Sequence, residues 1–179
     1  MIVLDVIITL TIMGGNISMA TDEKFAKEGY NLFLGSRNAE NAEKTAKELS
    51  EKYGVYAKGY GMKIFDEENT KEIFTDIKNS GYSVDTLVLN AANLGIRQQF
   101  FDVSIDDFMN VINTNIGWNF MLSREAAIQM KENGGGSIVF VNSNTAYRAI
   151  PDRIAYSASK SGALGMMRAL ALDLGKYNI

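Results

Sequence analysis

Apolar residues fall along this chain in two alternating rhythms. Short apolar runs predict buried strands at Val6–Thr9, Asn31–Gly35, Val55–Tyr60, Val84–Asn90 and Ser137–Val141. Between them, apolar positions recur three and four apart against charged neighbours, which predicts amphipathic helices. The first is Met19–Gly29, closed by a glycine. Ala39–Lys52 turns Ala42, Ala46 and Leu49 inward, and Glu67–Lys78 does so with Ile73, Phe74 and Ile77. A long helical stretch covers Ile105–Lys131, with a bend of its own, and the last helix runs over Asp152–Leu174. Strict alternation, with strands apolar on both faces, predicts an α/β fold, a doubly wound parallel sheet of Rossmann-like type. No repeat, low-complexity segment or linker interrupts the pattern, so residues 1–179 read as one domain.

Such sheets bind ligands beyond the carboxyl ends of their strands, where the strand order reverses. The polar residues at those places are the candidates. Thr11 to Ser18 follow the first strand, Ser36 and Arg37 the second, Asn90 ends the fourth, and Ser143 ends the fifth.

Composition narrows the chemistry. The chain contains neither cysteine nor histidine. Thiolate chemistry, disulfides, imidazole catalysis and Ser-His-Asp arrangements are therefore out of reach, and no metal site is expected. Acid–base work near neutrality falls to Tyr, Lys, Asp or Glu. The net charge of −3 and the lack of a basic run argue against nucleic acid as a partner. The apolar start, Met1 to Met13, has no basic residue, carries Asp5 and is too short to span a bilayer. It reads as a buried first strand rather than a signal or membrane segment, which leaves the cytoplasm as the expected compartment.

The most informative local pattern is Tyr156-Ser157-Ala158-Ser159-Lys160. On a helix a tyrosine and a lysine four apart share one face. An ammonium held there favours the phenolate and makes the phenol a usable proton donor or acceptor near neutrality. Ser143, at the polar end of the run from Gly136, is placed to bind the oxygen of a carbonyl or alcohol. The plain alternative for the pair alone is a surface tyrosine beside a solvated lysine. Asn115 in N-T-N-I-G and Asn90-Ala91-Ala92 after V-D-T-L-V-L point the other way.

Together these residues resemble the short-chain dehydrogenase/reductase family, whose proton-relay tetrad matches Asn115, Ser143, Tyr156 and Lys160. The resemblance implies hydride transfer between a nicotinamide dinucleotide and a carbonyl or secondary alcohol, a 3-oxoacyl thioester or a sugar-derived ketone first among them. It implies cofactor contacts from Thr11, Gly14, Gly15, Asn16, Ile17, Ser36, Arg37, Asn90 and Ala91, with Tyr156 and Lys160. Gly35-Ser36-Arg37-Asn38 carries no acid, and a guanidinium suits a 2′-phosphate, so NADP is preferred to NAD. The family also implies a homodimer or homotetramer. Here that would pair the two long helices through Trp118, Phe120, Met121, Ala163, Met166, Met167 and Ala171.

Three departures stand against the family pattern. The glycines of its phosphate loop are replaced by Ile12, Asn16 and Ser18, with Gly14 and Gly15 in variable positions. Glycine there permits a tight turn and close approach to the pyrophosphate. The position of the adenine-facing aspartate holds Lys63. The further strands, proline-glycine segment and substrate lid that the resemblance implies beyond the tetrad helix do not fall within residues 1–179. They leave open an alternative, a non-catalytic dehydrogenase-like fragment or partner-binding module.

Overall fold

The computed structural model describes residues 6–10 and 16–179, with residues 6–10 and Asn16 as backbone only. Five strands form one sheet: β1 (Val6–Leu10), β2 (Asn31–Ser36), β3 (Ala57–Gly61), β4 (Thr86–Leu89) and β5 (Ser137–Phe140). Every pairing is parallel and the order is β3-β2-β1-β4-β5. The strand order reverses at β1, between β2 and β4. Register brings the carboxyl ends level: Leu10 lies beside both Gly35 and Leu89, and Leu89 beside Phe140.

Both faces of the sheet are covered at its centre, which is why β2 and β4 are buried without alternation. Leu32, Leu34 and Val88 pack with Ala26 of α1 (Asn16–Lys27) and Ala46 and Leu49 of α2 (Ala39–Tyr53). Phe33, Leu87 and Leu89 face the other way. They meet Ile73, Phe74 and Ile77 of α3 (Glu67–Asn79) and Leu122, Ala126 and Met130 of α5 (Asn119–Glu132). Caps fix the helix starts: Asn38 and Asp66 accept hydrogen bonds from Asn41 N–H and Asn69 N–H through their side chains.

The predicted third strand begins two residues too early, because β3 is selected by its glycines rather than by its apolar start. A Cβ at Gly59 would fall 2.2 Å from the Glu43 nitrogen, so α2 lies directly on the strand backbone there. The first helix begins at Asn16 rather than Met19, and the last, α6 (Ile154–Leu174), begins two residues later than predicted. Pro151-Asp152 forms the turn before it, with Asp152 in the left-handed region at φ 59°.

The expected bend in the long helix takes the form of a π segment at Asn113–Trp118, between α4 (Ile105–Ile112) and α5. Wider turns of this kind free backbone carbonyls and concentrate at functional sites. Gly117 makes room for Phe65, whose ring would clash at 2.4 Å with any Cβ placed there. Along its outer side β5 has no neighbour among the described residues, and Val139 is 45% exposed.

Candidate active site

The end of β5, the π segment and the first two turns of α6 meet at one place. Lys160 is 5% exposed, and its ammonium donates to the Val141 carbonyl at 3.0 Å. Burial pushes its pKa below the ordinary lysine range, since the cation has lost water there. Its Nζ lies 5.8 Å from the centre of the Tyr156 ring, so the four-residue spacing does place the two side chains on one face.

Ser143 reaches the same place from β5. Its Oγ accepts from the Thr145 N–H at 3.2 Å and the Thr145 hydroxyl at 2.9 Å. With both lone pairs engaged, the Ser143 proton remains to donate to an incoming oxygen. Asn142, which the motif does not flag, locks this corner to α6. Its amide donates to the Lys160 carbonyl at 3.2 Å while its Oδ1 accepts from the Ser143 N–H at 2.9 Å.

Asn115 is fully buried and its side chain is committed to scaffolding. Its amide donates to the Asn93 carbonyl and to Ser159 Oγ, each at 2.9 Å, and its Oδ1 accepts from the Asn93 N–H at 2.6 Å. Ser159 in turn donates to the Tyr156 carbonyl at 2.8 Å. The π segment is thus tied to the helix turn that carries the tyrosine. The Asn115 carbonyl accepts from the Asn119 side-chain amide at 2.9 Å. Sequence reasoning singled out neither Ser159 nor Asn119. Each is a small polar residue on a buried helix face, which a search for titratable groups passes over.

Arg153 pins the start of α6 to the loop after β4, donating to the Leu94 and Gly95 carbonyls at 2.7 and 2.9 Å. Tyr156 lines a narrow cavity of about 20 Å³ against that loop. The loops around the tyrosine turn open into separate clefts. Ile150, Pro151 and Asp152 line a cleft of about 630 Å³ with Phe100 and Tyr147, to which neither Tyr156 nor Ser143 contributes. Asn93, Leu94 and Gly95 line another of about 420 Å³.

At the nucleotide end, the cleft of about 420 Å³ also holds Arg37, Ile64 and Ala92, past the ends of β2, β3 and β4. Arg37 is shared with a cleft of about 510 Å³ that opens between α1 and α2 and contains Ser18, Ser36 and Asn38. The two clefts have the exposed Arg37 guanidinium in common. Thr11, Gly14 and Gly15 lie outside the described residues, and of Asn16 only its place at the start of α1 is described. Ile17 is 61% exposed in the first turn, and Ala91 is buried. Ser18 sits in the first turn of α1, 1% exposed, where its hydroxyl accepts from the Asn90 amide at 2.5 Å. A hydroxyl so placed joins the helix to the end of β4, the close approach for which glycine is otherwise used.

Comparison with known proteins gives the same picture. A family model described as short chain dehydrogenase matches residues 6–179. A 3-oxoacyl-(acyl-carrier-protein) reductase of Aquifex aeolicus is 30% identical over 165 residues, 91% of this chain and 65% of that protein. Carbonyl reductase family member 4 of Danio rerio is 31% identical over 170 residues, 94% of this chain and 70% of that one. Among solved structures, an NAD+-bound xylitol dehydrogenase superposes with TM-score 0.90 at 31% identity, over 98% of this chain and 66% of its own. A 7α-hydroxysteroid dehydrogenase complexed with NADH and 7-oxo glycochenodeoxycholic acid gives 0.89 at 30%, over 98% and 68%. The chain spans about two thirds of the length of these four proteins.

Proposed function

Since the chain belongs to the short-chain dehydrogenase family, we propose that it serves hydride transfer between NADP(H) and a carbonyl or secondary alcohol. The observation that carries this is the Lys160 ammonium, buried against the Val141 carbonyl and 5.8 Å from the Tyr156 ring. A buried cation so anchored has a use beside a phenol and little use elsewhere.

The dinucleotide, when bound, supplies or accepts the hydride. The Tyr156 phenol gives its proton to the carbonyl oxygen in reduction and takes one from the hydroxyl in oxidation. Ser143 Oγ donates to that same oxygen, its orientation fixed by the two bonds from Thr145. Lys160 spends one N–H on Val141 and keeps two for the phenol and the ribose hydroxyls. Asn115 holds the π segment against the Tyr156 turn through Ser159, so its part is to keep the tyrosine in place.

Arg37 and Ser36 favour NADP, pairing with a 2′-phosphate at the end of β2. A 3-oxoacyl thioester or a sugar-derived ketone is the proposed substrate. A relative named as a 3-oxoacyl-(acyl-carrier-protein) reductase and a neighbour named as a xylitol dehydrogenase support that range. No helix among the described residues is long and apolar enough to cross a membrane, and the cytoplasm is the proposed compartment.

The second reading, a non-catalytic module, is favoured by the phosphate loop, where Ile12, Asn16 and Ser18 stand in place of the family's glycines. Titration with NADPH, followed by nicotinamide fluorescence, separates the two. Saturation in the micromolar range supports the enzyme, and no binding at millimolar concentration overturns it.

A further inference from the structure

The residues that follow β2 carry no acid, yet the space they open into does. Ser18 and Asp22 lie four apart on α1, on one helix face, and are 1% and 2% exposed. Both line the cleft of about 510 Å³ that holds Ser36, Arg37 and Asn38. Sequence pattern alone places Asp22 in a helix among charged neighbours, where a carboxylate is ordinarily solvated. Instead α1 turns it inward, toward the end of β2.

We propose that Asp22 is a specificity-determining residue for the dinucleotide, restraining the preference for a 2′-phosphate that Arg37 confers. The inference rests on the NAD(P)-dependent reading of the site. The lining supports it by charge. Arg37 and Lys44 bring two positive charges to the cleft, and Asp22 and Glu48 bring two negative ones. The cleft is therefore balanced rather than cationic. Of the two acids, only Asp22 is buried, and a carboxylate out of water acts on a neighbouring phosphate with less screening by solvent and salt. A ribose bearing free hydroxyls carries no charge to be repelled and meets no such cost. Discrimination by repulsion of the unwanted ligand is a common device. Here the acid arrives from the first helix rather than from the end of the second strand.

The test compares wild type with Asp22→Asn, which keeps the shape and removes the charge, and with Asp22→Ala as a second variant. Each is titrated with NADPH and NADH, and with 2′,5′-ADP and ADP as probes of the adenosine half alone. Thermal melting of each variant accompanies the titrations. Both variants should shift the affinity ratio toward the 2′-phosphorylated ligands by about tenfold or more, chiefly through tighter binding of those ligands. An unchanged ratio with binding intact overturns the inference and leaves the dehydrogenase reading standing. Equal loss of all four ligands overturns it as well, since Asp22 would then be supporting the loop rather than choosing the ligand. Failure of wild type and variants alike to bind any dinucleotide overturns the dehydrogenase reading, and this inference with it.

Discussion

Asn115 and Asn93 hold each other by two hydrogen bonds. The Asn115 amide donates to the Asn93 carbonyl at 2.9 Å, and the Asn93 N–H donates to Asn115 Oδ1 at 2.6 Å. The pair joins the loop after β4 to the π segment, and Ser159 extends the chain of bonds to the Tyr156 turn. Replacing Asn115 by alanine leaves the Asn93 N–H and its carbonyl to find other partners in a water-poor place. That should lower stability by about 2 kcal/mol, the usual order for groups left unsatisfied on burial. Urea denaturation measures it, and a loss below a few tenths would show the bracket to be dispensable.

Tyr156→Phe removes only the phenolic oxygen from a side chain for which no hydrogen bond is seen in the described structure. In any active form of the protein, turnover should fall by ~10²–10⁴-fold, the usual worth of a general acid–base group. NADPH affinity should stay within a few-fold. Retention of more than about a tenth of the wild-type rate would remove the proton-transfer assignment.

Lys160 gives a prediction about pH. Its folded-state pKa lies below the ordinary 10.5 because burial disfavours the cation. Between those two values the unfolded chain binds more protons than the folded one, so stability contributed by this site rises with pH and levels off above about 10.5. Lys160→Met abolishes that contribution. The difference in melting temperature between wild type and variant, measured from pH 7 to 11, should therefore move in favour of wild type. A constant difference would refute burial as the cause.

Assembly is predicted through the outer sides of α4, α5 and α6. Of the residues expected to form this surface, Trp118 and Ala163 are buried within the chain's own core and do not contribute. Phe120 (46% exposed), Ile105 (77%) and Leu172 (85%) do present apolar surface to solvent. Two-fold pairing of these helices is the expected outcome. Sedimentation velocity at tens of micromolar should show a dimer, and Phe120→Glu with Leu172→Glu should convert it to a monomer of unchanged circular dichroism. A monodisperse wild-type monomer would sink this. Larger aggregates would implicate the open edge of β5.

Strand and helix order was legible because a sheet covered on both faces needs continuous apolar strands, and Leu32, Phe33 and Leu34 satisfy that in succession. The tyrosine–lysine pair was legible because helical spacing alone places it. The start of α1 was not, since its first turn inverts the usual pattern, with Ile17 and Met19 exposed and Ser18 buried. The edges of β3 were hidden for a different reason: contact between Gly59 and the α2 backbone selects the strand, and that contact comes from distant parts of the chain. Asn142 and Asp22 were illegible on the same ground. A carboxamide or carboxylate reads as surface until tertiary packing turns it inward.

The π segment also sets a phase. Val111, Asn115, Trp118, Leu122, Ala126 and Met130 are all buried, and they recur over five turns. Five turns of a regular α-helix advance ~18 residues, whereas positions 111 and 130 are nineteen apart. The wide turn absorbs the surplus residue, much as a leap day keeps a calendar aligned with the seasons. Removing any single residue from 113–118 would let the segment relax to a plain helix. Leu122, Ala126 and Met130 would stay in phase with the sheet, since ~18 residues then fill the five turns, and what would be lost is the wide turn that holds Asn115 against Asn93 and Ser159. A one-residue deletion there would be felt at Asn115 and the tyrosine turn it braces rather than at Met130.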